Sequence, residues 1–279
     1  EDAEYAQKVA RMARDSAAKE LARVEQVGSA LPESAITVRE LICTAVGIDA
    51  AELPYIAELM DLRPEHNRWR VAVEKVLRGV GLRLLVPDEH YGAVLRFVNE
   101  NNMRGRLQLH HVRAGLVGAT PGEADPKTLA GKLFVVDPGH PCAAEAADVV
   151  AAAGGHVCVD TPDVFPRFHR AVTDTGLHKD SERLAIKDDR RPLRQSEYIY
   201  QGDVATKIDA LTVDLTAAEQ TYQQARRAAD DIAAQRQQWR DRAAAGKAVC
   251  EQFPQWNQVD VEAADKHADR LREQFEILL

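Results

Sequence analysis

A heptad pattern without interruption occupies the last quarter of the chain. From Val204 onward, apolar residues recur at alternating intervals of four and three positions, and most residues between them are charged or Gln. Such a stripe stays on one side of an α-helix only if the helix supercoils with a partner. The pattern predicts a long coiled-coil helix over 204–253, a break at Pro254 and a further helix beyond it. The predicted seam contains Val204, Ile208, Leu211, Leu215, Tyr222, Ile232 and Trp239.

The beginning of the chain supplies a candidate partner for this seam. Small apolar residues, among them Ala6, Ala10 and Leu21, recur at helical spacing over 1–26, and Gly28 marks an end. We therefore predict coiled-coil segments at 1–30 and 204–279. Because the first helix is much shorter, we expect the seam beyond about Ile232 to lack a partner within this chain. The first residue is Glu1 rather than Met, so we expect the chain to be part of a longer protein.

The middle of the chain, 31–203, alternates between helical and strand patterns. Helices are predicted at 37–46, 64–79, 89–101, 141–153 and 161–172, and strands at 55–62, 82–86, 106–112, 133–136 and 156–160. This order predicts an α/β globular domain, with a mixed sheet covered by helices, inserted between two antiparallel coiled-coil helices. The segment 173–194 is polar and without periodicity, which predicts a long irregular arm.

Composition and missing motifs argue against several function classes. The formal net charge is -8, so nucleic-acid contact would require a local basic patch. No Walker A motif or G-x-S-x-G motif occurs, and Gly79 and Gly81 precede a strand rather than a helix. No apolar run reaches about 18 residues, so no membrane span is predicted. Four widely spaced cysteines in apolar runs predict reduced thiols and a cytoplasmic protein. We expect no cofactor and no catalysis in this part of the protein.

Two His-x-Cys pairs form a candidate metal site. His140 and Cys142 precede His156 and Cys158, and residues at i and i+2 of a strand share a face. Structural zinc sites usually place two to four residues between paired ligands, which favours core cysteines instead. A metal-dependent enzyme is therefore kept only as an alternative.

The segment 164–194 is the best candidate for binding DNA. Its basic residues exceed its acidic residues by three within an acidic chain. Phosphate backbones attract such a segment without any need to read base sequence. The alternative is a solvated arm whose acids pair with its bases. The candidate residues are Arg167, Arg170, Lys179, Arg183, Lys187, Arg190, Arg191 and Arg194.

Short segments in a fixed order run through about 31–210 of the chain. They are LPYIAEL at 53–59, Trp69, VEKVLRG at 73–79, LLV at 84–86, His90-Tyr91, Asp160-Thr161, Phe165, RAVT at 170–173, Gly176, Lys179, KDDR at 187–190 and the stretch 198–207. This ordered string resembles the central region of MukB-like bacterial SMC proteins, in particular the Wadjet C subunits (JetC, EptC or MksB-type condensins).

The resemblance implies the hinge of such a protein, which is the dimerisation region at the far end of the arms from the ATPase heads. It implies ATP and Mg at heads outside this chain, DNA entrapment or loop extrusion by the parent complex, and kleisin, KITE and nuclease partners in a bacterial cytoplasm, near the nucleoid. We expect a non-catalytic homodimer formed through the edge at 106–112 or the arm at 173–200. The alternative is a nucleic-acid-binding module on a coiled-coil spacer.

Overall fold

The computed structural model describes residues 2–116, 118–190, 193–200, 204–252 and 260–277. The chain divides into two compact units, a helical unit of Glu1–Arg14 with Ala218–Leu279 and a globular unit of Asp15–Ala217. The α-helices are α1 (Asp2–Val27), α2 (Glu33–Val46), α3 (Ile56–Leu59), α4 (Arg70–Gly81), α5 (Asp88–Glu100), α6 (Ala143–Ala153), α7 (Val204–Gln252) and α8 (Val261–Ile277). The strands are β1 (Met60–Leu62), β2 (Arg83–Pro87), β3 (Gln108–Val112), β4 (Leu133–Val135), β5 (Val157–Cys158), β6 (Ala171–Val172), β7 (His178–Ser181) and β8 (Leu184–Ile186).

In the helical unit, α1 and α7 run antiparallel. Arg14 contacts the carboxylate of Glu219 at 3.7 Å and lies over the ring of Tyr222 at 4.4 Å. Earlier in α1, Glu4 pairs with Arg236 at 3.4 Å. Residues nearer the start of α1 therefore contact residues further along α7, as in an antiparallel pair. Both predicted terminal helices are confirmed to within a residue or two, and the predicted break at Pro254 lies outside the described residues.

The globular unit contains three small sheets. Strands β1 and β4 are antiparallel, and β2 and β3 are parallel. The third sheet has the order β5-β6-β7-β8, with a parallel first pair and antiparallel pairs after it. The predicted class is thus confirmed, as mixed strands covered by helices with long helices at both ends of the chain.

Helix α4 and strand β2 lie at the centre of the main core. Leu84, Leu85 and Val86 are fully buried, which explains the continuous apolar run in the sequence. Val73 and Leu77 of α4 are buried with them in the same hydrophobic cluster. The amphipathic helix and the buried strand predicted here are therefore both confirmed.

Three predicted elements differ from the structure. The strand predicted at 55–62 begins as helix α3, because the backbone N–H of Tyr55 donates to the Glu58 carboxylate at 2.9 Å and starts a helical turn. The helix predicted at 161–172 is a 3₁₀ turn, Pro162–Arg167, followed by β6. Pro166 has no N–H to donate within this segment.

The prediction of an irregular arm at 173–194 is wrong for the central part of that segment. Strands β7 and β8 form an antiparallel hairpin there and complete the third sheet. The buried side chain of β7 is Lys179, whose aliphatic stem takes the place that an apolar residue usually has. The apolar alternation of a strand was therefore absent from the sequence.

Candidate functional site

A buried lysine joins the start of α7 to the segment that follows α1. Lys207, in the first turns of α7, is only 3% exposed. Its Nζ donates to the carbonyl of Ala30, which follows α1, and contacts the carbonyl of Tyr198 at 3.4 Å. Burial lowers the pKa of this ammonium to about 8. The segment that follows α1 thus meets the start of α7, so the two ends of the stretch 30–207 lie together.

A buried carboxylate fixes the segment that leaves the globule. One oxygen of Glu74, on α4, accepts the backbone N–H groups of Ile199 and Tyr200, each at 2.9 Å. The hydroxyl of Tyr200 donates to the carbonyl of Leu77 at 2.8 Å. Burial raises the pKa of Glu74, and its second oxygen lies 3.5 Å from Arg78. Sequence reasoning missed Glu74 because Glu74 and Arg78 look like an ordinary exposed i,i+4 pair.

Two of the predicted DNA-binding residues are used inside the fold. The guanidinium of Arg170 donates to the carbonyls of Ala152, at 3.0 Å, and Ala153, at the end of α6. The ammonium of Lys179 donates to the carbonyls of Phe165, at 3.1 Å, and Phe168, at 2.7 Å. Lys179 is buried, and Arg170 is half-buried with its guanidinium bonded to the end of α6.

The other basic candidates that the structure describes are exposed, but several have acidic or backbone partners. Arg190 donates to Asp188 with two nitrogens, at 2.6 and 3.0 Å, and holds the pKa of that carboxyl well below its usual range. Lys187 donates to the carbonyl of Thr175 at 3.2 Å. Arg167, Arg183 and Arg194 are exposed, and Arg191 lies outside the described residues. DNA contact stays a prediction, now confined to the exposed members of the set.

The predicted seam changes character along α7. Val204, Ile208, Leu215 and Tyr222 are half-buried, and Leu211 is 5% exposed. By contrast, Ile232 is 40% exposed and Trp239 is 68% exposed. The seam is thus covered near the start of α7 and open further along it.

In the described part of the chain, no three of the four side chains of the His-x-Cys pairs bring their ligand atoms together. His140 and Cys142 bond to each other through the ring Nδ1 and the backbone N–H at 3.1 Å. The ring of His156 contacts Asp180 at 2.6 Å and Arg170 at 3.3 Å, so both its nitrogens have protein partners. Burial raises the pKa of Cys142 and of Cys158 to about 11, which disfavours the thiolate that a metal requires.

The third sheet ends in a sparsely charged edge. Strand β8 pairs only with β7 among the described strands, and its sequence is Leu184-Ala185-Ile186. Leu184 is 52% exposed and Ala185 is exposed. Unpaired edge strands that lack charges readily pair with another chain. Strand β3, the other predicted edge, has more covered side chains, since His110 and His111 contact Glu145 and Asp88 at 2.6 Å each.

The chain is similar to SMC hinge domains. For the asymmetric dimer of the Geobacillus stearothermophilus SMC hinge domain, the identity is 14%, the TM-score is 0.45, and the match covers 86% of this chain and 95% of that chain. For the Pyrococcus furiosus SMC hinge domain, the identity is 19%, the TM-score is 0.41, and the match covers 64% of this chain and 93% of that chain. For the folded elbow of cohesin, the identity is 11%, the TM-score is 0.47, and the match covers 99% of this chain and 39% of that chain.

No protein-family model matches the sequence, and no curated protein matches it at a significant level. Among the described helices, none combines the length and the apolarity needed to cross a lipid bilayer.

Proposed function

We propose that this chain is the non-catalytic dimerisation hinge of an SMC-like ATPase. The observation that carries the proposal is the junction at Lys207. The ammonium of Lys207 donates to the carbonyl of Ala30. The two ends of the stretch 30–207 therefore lie together. In the helical unit, α1 and α7 are antiparallel neighbours. A globule inserted in this way into a pair of helices is suited to join two long arms.

The surface we assign to the dimer is the edge of β8. Two copies that pair β8 with β8 in antiparallel fashion would extend the third sheet across a two-fold axis. Such an isologous contact uses the same patch twice and closes without forming fibres. The exposed Leu184 would then be covered by the partner copy.

Light scattering after size exclusion tests the proposal. At tens of micromolar, where weak self-association becomes visible, we expect twice the mass of one 30.8 kDa chain. A mass of one chain at every concentration contradicts the hinge proposal.

A matched pair of leucines tests the assigned surface. Leu184 on β8 is 52% exposed, and Leu41 on α2 is 48% exposed. We expect Leu184→Lys to weaken the dimer by at least about tenfold, because a charge would replace the apolar side chain that the partner copy covers. Leu41→Lys should leave the dimer unchanged. If both variants dimerise like the wild type, the dimer surface lies elsewhere.

For the parent protein we propose DNA entrapment or loop extrusion, in plasmid restriction of the Wadjet type or in chromosome organisation. The sequence resemblance supports this, and with it the partners named above. Gel shifts with a DNA duplex at rising salt test whether the hinge itself contacts DNA. If Arg167→Glu with Arg183→Glu weakens binding by the same factor for unrelated sequences, the exposed cations contact the backbone. Binding by a strict monomer would instead favour the nucleic-acid-binding module.

A further inference from the structure

Two glutamates and a histidine converge at one end of the parallel β2-β3 pair. The ring Nε2 of His90 lies 3.0 Å from Glu52 and 3.6 Å from Glu89. One ligand atom from each of the three side chains lies within 4.8 Å of the other two. Among the described residues, no other group of three or more His, Cys, Asp or Glu side chains meets this condition. A single metal ion could therefore contact all three at once.

Separate elements hold the three side chains in place. Glu52 ends a 3₁₀ turn, and one of its oxygens accepts the backbone N–H of Asp49 at 3.1 Å, while the other faces His90. Glu89 and His90 lie in the first turn of α5, directly after β2. The His90 side chain is 19% exposed, so its ring is largely fixed while the carboxylates stay open to solvent. Little reorganisation is needed to bind an ion.

The local charge balance also favours a cation. In the described part of the chain, the ion-pair partners of Glu52, Asp88 and Glu89 are histidines, namely His90 and His111. A neutral imidazole does not compensate a carboxylate. Among the described residues, no lysine or arginine forms an ion pair with any of these three carboxylates.

We propose that Glu52, Glu89 and His90 form a binding site for one divalent transition-metal ion of the Zn²⁺ class. His90 Nε2 and one oxygen from each glutamate are the ligands, and water fills the remaining positions. Imidazole with carboxylates selects such ions over Mg²⁺, which prefers oxygen ligands and keeps its water. Binding replaces the contact between His90 Nε2 and Glu52 by two bonds to the metal, and the neutral ring then carries its proton on Nδ1 instead of Nε2. The site is separate from the β8 edge and does not depend on dimerisation.

Calorimetric titration of the tag-free protein with zinc chloride tests the site. We expect wild-type protein to bind zinc, and the site to be lost in His90→Ala. Glu52→Gln should weaken it by at least about tenfold, since even outer-shell changes at metal sites cost that much. The matched control is His111→Ala, because His111 bonds to Asp88 nearby and belongs to no ligand set. Circular dichroism checks that each variant is folded.

The outcomes decide the proposal. Loss of one zinc equivalent in His90→Ala and at least about tenfold weaker binding in Glu52→Gln, with binding retained in His111→Ala, supports it. The proposal is overturned if the wild type shows no zinc binding, or if His90→Ala binds as the wild type does. Magnesium chloride that competes equally with zinc would likewise overturn it.

Discussion

The buried ammonium of Lys207 makes part of the stability depend on pH. Its pKa falls from 10.5 to about 8 in the folded protein because the group is buried. Between these values the unfolded chain holds a proton that the folded chain has released. The free energy of unfolding contributed by this residue therefore rises with pH in that window. Below it both states are protonated, and the full cost of burying the charge remains.

Comparison of the wild type with Lys207→Met isolates this effect. We expect the stability of the wild type relative to the variant to increase by about 1–3 kcal/mol from about pH 7.5 to about pH 10. Urea unfolding of both proteins at both pH values gives this double difference, in which the titration of other groups cancels. Lys8→Met, at an exposed position of α1, should give a double difference near zero. Equal values for Lys207 and Lys8 would contradict the prediction.

Helix α4 carries two glycines that should respond in opposite ways to the same change. A Cβ at Gly81 would lie 2.8 Å from ring atoms of Tyr200, which is fully buried, whereas a Cβ at Gly79 would meet nothing within 4 Å. We expect Gly81→Ala to cost about 1–3 kcal/mol through overpacking. Gly79→Ala should add about 0.5–1 kcal/mol, because alanine loses less backbone entropy in a helix. Chemical denaturation of the two variants measures both. If Gly81→Ala leaves the free energy of unfolding unchanged, the segment 193–200 can shift to make room for the added methyl group, and the prediction is wrong.

The same elements show how far sequence alone reaches. The continuous run Leu84-Leu85-Val86 predicted β2 because both faces of that strand are buried, and the heptad predicted α7 because its start is covered. Strand β7 was missed because its inward residue is Lys179, which satisfies backbone carbonyls with its ammonium. Polar groups that act inside a fold look like surface residues in a sequence, since their partners are distant in the chain. Glu52 and His90, 38 positions apart, were missed as a pair for the same reason.

At the scale of the whole molecule, burial is distributed very unevenly. Residues 232–252 of α7 and 261–276 of α8 are exposed throughout, including Trp239, Leu271 and Phe275. In the globular unit, by contrast, residues 84–86 of β2 and Val73 and Leu77 of α4 are fully buried. A helix without tertiary packing is only marginally stable in water, and its amides open with little cost in free energy. The two units should therefore differ strongly in local stability.

Amide hydrogen exchange followed by mass spectrometry measures this difference. We expect peptides from 235–250 and 262–276 to exchange at least about 100-fold faster than peptides from 72–86, because local opening costs far less than opening of the core. Repeating the measurement over a dilution series shows whether the exposed part of the seam is covered by a second copy of the chain or stays open to solvent. If its protection rises with protein concentration while that of 72–86 stays constant, a second copy covers Trp239 and its neighbours. If both regions are equally slow at all concentrations, the exposed helices are stable by themselves and the prediction is wrong.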